Sequence, residues 1–217
     1  MLVPEARTWG PRHLPVPYAA YWSGEGSYGR RVMMRPDGAG IWYPDETRAD
    51  RDAFGVLWAR VADEPGQGRP EFSALHPARQ RRAQAERLCQ VCGKVASHTR
   101  DGWLFLMTGD GEGDADAWEG SLSTKPPICL PCAALAARFC PHLSHPLGVR
   151  ARRPKIWGAF GTLFVPTPDA RIRAHPDDQY LPYGHRASRW FLASQLVVEL
   201  KRCTVVDLDA ELAVLDG

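Results

Sequence analysis

"LCQVCGK" (88–94) and "PICLPCAALAARFCPHL" (127–143) each contain a Cys-x-x-Cys pair, Cys89/Cys92 and Cys129/Cys132, with 36 residues (93–128) between the pairs. Two cysteines at this spacing can bring both sulfurs to one ion, and two such pairs complete a tetrahedral shell. The pattern predicts a single Zn²⁺ held by Cys89, Cys92, Cys129 and Cys132. Four thiolates leave no open position for water, so the expected ion is structural. The long spacer implies a zinc-stapled subdomain rather than a minimal finger.

The flanking sequence gives the pairs a setting. "ARQRRAQAERLC" (78–89) is rich in helix formers and leads directly to Cys89. Gly93 suits a tight turn after Cys92, and "GWLFLMTGD" (102–110) reads as a short strand. Pro126 and Pro127 stop the returning strand, and "LPCAALAARFC" (130–140) reads as a helix with Pro131 in its first turn. Cys129 and Cys132 then sit at a helix N-terminus, where the dipole favours thiolate.

A turn with the first pair, a hairpin, and a second pair opening a helix: this order resembles the treble-clef zinc fold. More narrowly, "CQVCG", His98 and "ICLPC" are similar to the zinc-bearing branch of the HNH endonucleases over roughly residues 88–140. That resemblance implies a general-base role for His98 in metal-dependent phosphodiester hydrolysis. The chain departs from the family frame: it contains no asparagine, and Ala133 and Ala134 stand where a helix histidine is expected.

At 217 residues, 44% hydrophobic and 24% charged, the chain is long and apolar enough for one good core or two small ones. It has no run of 18 apolar residues and no unbroken apolar leader, so a cytoplasmic protein without membrane association is expected. In a reducing compartment paired cysteines are metal ligands before they are disulfides. The net charge of +2 demands no polyanionic partner, but it is unevenly distributed. Of 27 basic residues only Lys94, Lys125, Lys155 and Lys201 are lysine, a bias that a GC-rich genome also produces. Two basic segments flank the cysteine unit: Arg79, Arg81, Arg82 and Arg87 before it, and Arg150, Arg152, Arg153 and Lys155 after it. These are the candidate phosphate-binding residues.

Elsewhere, Val32–Met34 and Ile41–Tyr43 around Pro36-Asp37-Gly38 predict a β-hairpin. Phe54, Leu57, Trp58 and Val61 fall at helical spacings, and "RASRWFLASQLVVELKRC" (186–203) offers a broad apolar helical face. "KIWGAFGTLFVP" (155–166) is strand material, and Leu208, Leu212 and Leu215 predict a last helix. The expected class is α+β, with a hairpin-and-helix unit (1–75), a treble-clef zinc unit (76–148) and a C-terminal segment (149–217) packed on both. The C-terminal helices would close the core or mediate self-association or a protein contact.

Cys140, His142 and His145 suggest a second metal, although Cys140 lies about 12 Å along the helix from Cys132. Asp110, Glu112, Asp114 and Asp116 superficially resemble a calcium loop, but Ala115 and Ser121 replace the glycine and glutamate such a loop needs. Cys203 reads as a packed thiol. Tyr18, Tyr21, Trp22 and Tyr28 read as core aromatics before a stacking surface. The functional expectation is a zinc-stabilised, non-catalytic binding or regulatory protein with nucleic acid as leading partner. The alternatives are an HNH-like nuclease or hydrolase, and a small-molecule enzyme with its pocket between the N-terminal aromatics and the C-terminal strand.

Overall fold

The computed structural model describes residues 7–29, 31–108, 115–140, 143, 145–169 and 171–213. Strand β1 (Thr8–Trp9) pairs with β2 (Leu14–Pro15), and β3 (Ala20–Trp22) lies against a later strand. The expected hairpin forms from β4 (Met33–Met34) and β5 (Ile41–Trp42), with Gly38 at φ +69° in the turn. The helix expected through Phe54, Leu57, Trp58 and Val61 does not form. Arg48–Asp50 makes one 3-10 turn, and the chain then reverses into β6 (Leu57–Trp58), whose residues pair in parallel with Leu192 and Ala193. Asp52 is the cause: its carboxylate accepts from the N–H groups of Phe54 (2.9 Å) and Val56 (3.0 Å) and from the Trp58 indole (2.9 Å). A side chain that bonds its own following backbone offers a turn in place of the helical ladder.

After β7 (Pro70–Leu75), which pairs with β3, the basic segment forms α1 (Pro77–Glu86) as expected. Its inner face is polar: Arg79, Gln80 and Gln84 are buried beside Ala83. Gln80 donates to the carbonyls of Thr124 (2.6 Å) and Leu196 (2.9 Å) and accepts from the Leu196 N–H (2.8 Å). Gln84 donates to the Ser123 carbonyl at 2.9 Å. The side-chain amides therefore supply partners that strand backbone would otherwise lack. Arg79 forks onto Glu25 at 2.6 and 2.8 Å, donates to the Ala20 carbonyl at 2.6 Å and pairs with Asp63. Glu25, fully buried, also accepts from the N–H groups of Trp22 (2.8 Å) and Glu64 (3.0 Å). Burial alone would raise its pKa. The hydrogen bonds from Arg79 and the Trp22 N–H outweigh that and hold it below the ordinary value.

The rest of the chain supplies two sheets. It runs through β8 (His98–Thr99), β9 (Gly102–Thr108), α2 (Ala115–Trp118), β10 (Leu122–Ser123) and α3 (Leu130–Phe139). There follow β11 (Pro146–Ala151), β12 (Lys155–Pro166), β13 (Ile172–Ala174), β14 (Gln179–Pro182), β15 (Phe191–Glu199), β16 (Cys203–Val206) and α4 (Leu208–Ala213). One sheet has the order β16-β11-β9-β8. In the other, β15 lies between β12 on one side and β10 and β6 on the other, while β13 and β14 flank the far side of β12. The class is α+β.

The apolar face expected to be helical over 186–203 is a 3-10 turn (Arg186–Trp190) followed by the nine-residue strand β15. Phe191 and Ala193 alternate into the core, and Leu196, Val197 and Val198 are buried consecutively, as in a strand covered on both faces. Such a run has no period of its own to distinguish strand from helix. The expected unit boundary at 148/149 lies inside β11, which pairs with β9 on one side and β16 on the other. Among the described residues no helix is long and apolar enough to cross a membrane.

Replacing Arg79 with Met should strand the Glu25 charge and cost about 3–5 kcal/mol. Arg82→Ala, which removes an exposed pair with Glu86, should stay within about 1 kcal/mol. Urea denaturation of both variants checks this. Because the folded pKa of Glu25 is depressed, its contribution is present above the ordinary glutamate pKa and is lost as pH falls through the folded value. An acid titration of Arg79→Met should lack that component.

Candidate metal centre

The first cysteine pair occupies a tight knuckle. The Cys89 N–H bonds the Lys94 carbonyl (2.6 Å), the Gly93 N–H bonds the Cys89 carbonyl (2.9 Å), and the Val91 N–H points at Cys89 Sγ (3.4 Å). Gly93 has φ +70°, and a Cβ there would meet the Tyr18 ring at 2.9 Å, so both conformation and space require glycine. The second pair opens α3: Cys129 is its N-cap, Cys132 lies in its first turn, and Pro131 falls where a missing N–H costs nothing. The Gln90 N–H to Pro127 carbonyl bond (3.0 Å) ties the knuckle to this helix start, and the Ser97 N–H to Ile128 carbonyl bond (3.1 Å) ties in the chain leaving the knuckle.

The result is four sulfurs within 4.8 Å of one another, with Cys92 Sγ and Cys129 Sγ 3.8 Å apart. All four cysteines are free thiols. Cys89 and Cys132 are fully buried, Cys92 and Cys129 half-buried. The cluster lies in an apolar core with Val91, Leu104, Leu106, Ile128 and Ala133, and Leu208 of α4 closes it. These residues are positioned to bind one metal ion, and the set is compatible with zinc. Without a cation, the sulfurs cannot all carry charge at this spacing. Hydrogen bonds from Cys132 and then Cys89 hold Cys129 down at about 4. The bond to Cys89, with burial, pushes Cys92 up, and bonds to Cys129 and Cys89 push Cys132 up. A divalent cation would resolve this conflict by stabilising all four thiolates at once.

The flanking basic residues have different fates. Arg79 is buried in its fork with Glu25. Arg150, 1% exposed, forks onto Glu211 of α4 at 2.6 Å and donates to the Gly102 carbonyl (2.9 Å) and Ser97 Oγ (3.0 Å). Both are corrections, because a guanidinium buried in the fold and already forked onto a carboxylate presents no free fork to phosphate. Arg81 is half-buried, 4.3 Å from the Trp58 ring centre, and Arg87 donates to the carbonyls of Gln84 (2.7 Å) and Pro154 (2.8 Å). Arg82, Arg152, Arg153 and Lys155 are exposed.

His98 is exposed at the start of the β8–β9 hairpin and packs on Trp103, with ring centres 4.5 Å apart. Cys140 ends α3, and with His145 it joins no cluster of three metal-ligating groups among the described residues; His142 lies outside them. Asp110, Glu112 and Asp114 also lie outside, and Asp116 is on α2. Cys203 donates to the Trp118 carbonyl (3.6 Å), and burial pushes its thiol up to about 11. Trp22 is buried and Tyr28 exposed. The small cleft lined by Tyr28 is completed by Trp58, Arg60 and Arg81, not by β12.

Sequence reading missed a second cluster of potential metal-binding groups, Glu25, Asp63 and His76. There the cation is Arg79, which pairs with both carboxylates. Burial and then the Arg79 charge push His76 below its ordinary pKa. Its Nδ1 accepts from the Arg79 N–H (3.3 Å), and its Nε2 faces the Ala62 carbonyl (3.1 Å). Only the distant pairing of residues 25, 63 and 76 reveals this group, and no motif spans it. Comparison of the chain with protein-family models, curated proteins and solved structures finds no match.

Purified protein should carry close to one metal ion per chain by elemental analysis, and Cys132→Ser should lose it together with much of its thermal stability. Cys203→Ser, outside the cluster, should retain the metal.

Proposed function

We propose that the protein is a zinc-stabilised, non-catalytic binding protein whose partner is nucleic acid. The observation that carries the first part is the four-sulfur cluster set within an apolar core. In a tetrahedron with Zn–S of about 2.3 Å the sulfurs stand about 3.8 Å apart, which matches the Cys92–Cys129 separation of 3.8 Å. With four thiolates bound, zinc has no open position for a water or a scissile phosphate, which suits a brace and not a catalyst. The knuckle, the β8–β9 hairpin and the cysteine-started α3 support a treble-clef arrangement of this unit.

The nuclease alternative needs a positioned base and a metal with open coordination. His98 packs on Trp103, the chain has no asparagine, and Ala133 and Ala134 open the helix, so the base has no supporting groups of the HNH kind. The nucleic-acid reading is supported by the exposed cations that remain once the buried arginines are set aside: Arg82 on α1, Arg152 and Arg153 between β11 and β12, and Lys155 at the start of β12.

Elemental analysis should identify the metal as zinc, and a protein that stays colourless on exposure to an oxidant should exclude a ferric thiolate centre. Fluorescence anisotropy with labelled duplex and single-stranded oligonucleotides at low salt should show binding that weakens steeply as salt rises. His98→Ala should bind as the parent does. Absence of binding to either strand form at micromolar protein would remove nucleic acid as the partner. Mg²⁺- or Mn²⁺-dependent cleavage lost in His98→Ala would establish the nuclease instead, because losing a general base costs on the order of a hundredfold or more in rate.

A further inference from the structure

Two neighbouring turns gather cations that the metal centre does not use. Arg152, Arg153 and Pro154 link β11 to β12, which starts at Lys155, while Leu200, Lys201 and Arg202 link β15 to β16. The turns are joined by backbone bonds from the Arg152 N–H to the Arg202 carbonyl (3.2 Å) and from the Arg153 N–H to the Lys201 carbonyl (3.0 Å). Arg87, at the end of α1, fastens the first turn through the Pro154 carbonyl at 2.8 Å. Arg202 holds φ +55°, a left-handed conformation uncommon outside glycine. Between the turns lies a cleft of about 430 Å³ lined by Glu119, Arg153, Lys155, Glu199, Lys201 and Arg202.

The local charges do not cancel. Lys201 is paired with Glu199 (2.8 Å), Glu119 accepts from the Cys203 N–H (3.1 Å), and Arg152 pairs with Asp101 at 3.4 Å. Arg153, Lys155 and Arg202 are exposed and make no ion pair among the described residues. The lining includes no aromatic or aliphatic residue, so it has neither a platform for a base nor a pocket for the apolar anchor that protein partners use. What it offers is positive charge with guanidinium forks, which match phosphate oxygens.

We propose that this cleft docks the phosphodiester backbone of nucleic acid and reads its charge rather than its sequence. The proposal rests on the nucleic-acid reading above and assigns the contact to the two turns, adding Lys201 and Arg202 to Arg153 and Lys155. Contacts of this kind hold and orient the strand, and each releases a counterion.

The test compares the parent, the triple variant Arg153→Ala/Lys155→Ala/Arg202→Ala, and a charge-matched control, Arg171→Ala/Arg173→Ala/Arg186→Ala, in oligonucleotide anisotropy across a salt series. Metal content and circular dichroism establish that each is folded. The triple variant should lose affinity on the order of a hundredfold near 0.1 M salt, with a log–log salt slope shallower by about 2 to 3, while the control keeps the parent's affinity. A triple variant that binds like the parent would overturn the cleft assignment and leave the nucleic-acid reading standing. A parent that binds no oligonucleotide would overturn both. If an acidic polypeptide binds the parent more tightly than oligonucleotides do, and the triple variant loses it, the cleft takes carboxylates and the phosphodiester assignment fails.

Discussion

Bringing four sulfurs within 4.8 Å from two places 36 residues apart constrains everything between and around them. The knuckle must turn within five residues, which brings Gly93 to positive φ against the Tyr18 ring. The second pair must come from a helix start, which accounts for Pro131 in the first turn of α3. The intervening chain must go out and come back, and β8 and β9 supply the outward path while β9 pairs with β11. Closing such a loop costs chain entropy, which the apolar core around the sulfurs offsets and a shared ion would offset further. Arg150 extends the arrangement by holding α4 through Glu211, so that Leu208 closes the same core.

The N-terminal third follows a different physical logic. Its strands are two to six residues long, and its cohesion depends heavily on polar groups removed from water. Arg79 with Glu25, and Arg60 with Asp50, are buried forks in which both carboxylates are held below their ordinary pKa. Buried charge is tolerated at this cost in desolvation only when hydrogen bonds are nearly complete, and Glu25 accepts four. Gln80 and Gln84 do similar work with neutral amides, docking α1 onto strand backbone where an apolar helix face would have had no way to satisfy it.

Arginine thus serves two purposes in one chain. Where a carboxylate and a backbone carbonyl converge, as at Arg79 and Arg150, the guanidinium is a structural crosslink, and its charge is neutralised. Where the backbone of a turn is already satisfied by its neighbour, as at Arg153 and Arg202, the side chain is left to solvent. The proposed division of labour follows: an enclosed metal centre braces the middle of the chain, and uncompensated charge gathers at turns that the brace and Arg87 help to hold.

Taken alone, the sequence determined the metal-binding set, the helix leading to it, the β4–β5 hairpin, the strand between the pairs and the cysteine-started helix. Each of these is written in local spacing or in Gly and Pro positions, so its physics acts over a few residues. The helices expected through Phe54, Leu57, Trp58 and Val61 and over 186–203 failed because their apolar residues fit more than one period. Asp52 broke the first by bonding its own backbone, and neighbouring strands claimed the second on both sides. Tertiary structure alone decided which arginines are buried and which are free, and that Lys201 and Arg202 stand beside Arg153 and Lys155. The reason is that charge type is a property of a residue, but its compensation depends on partners such as Glu25 or Glu211, which lie 54 and 61 positions away in the chain.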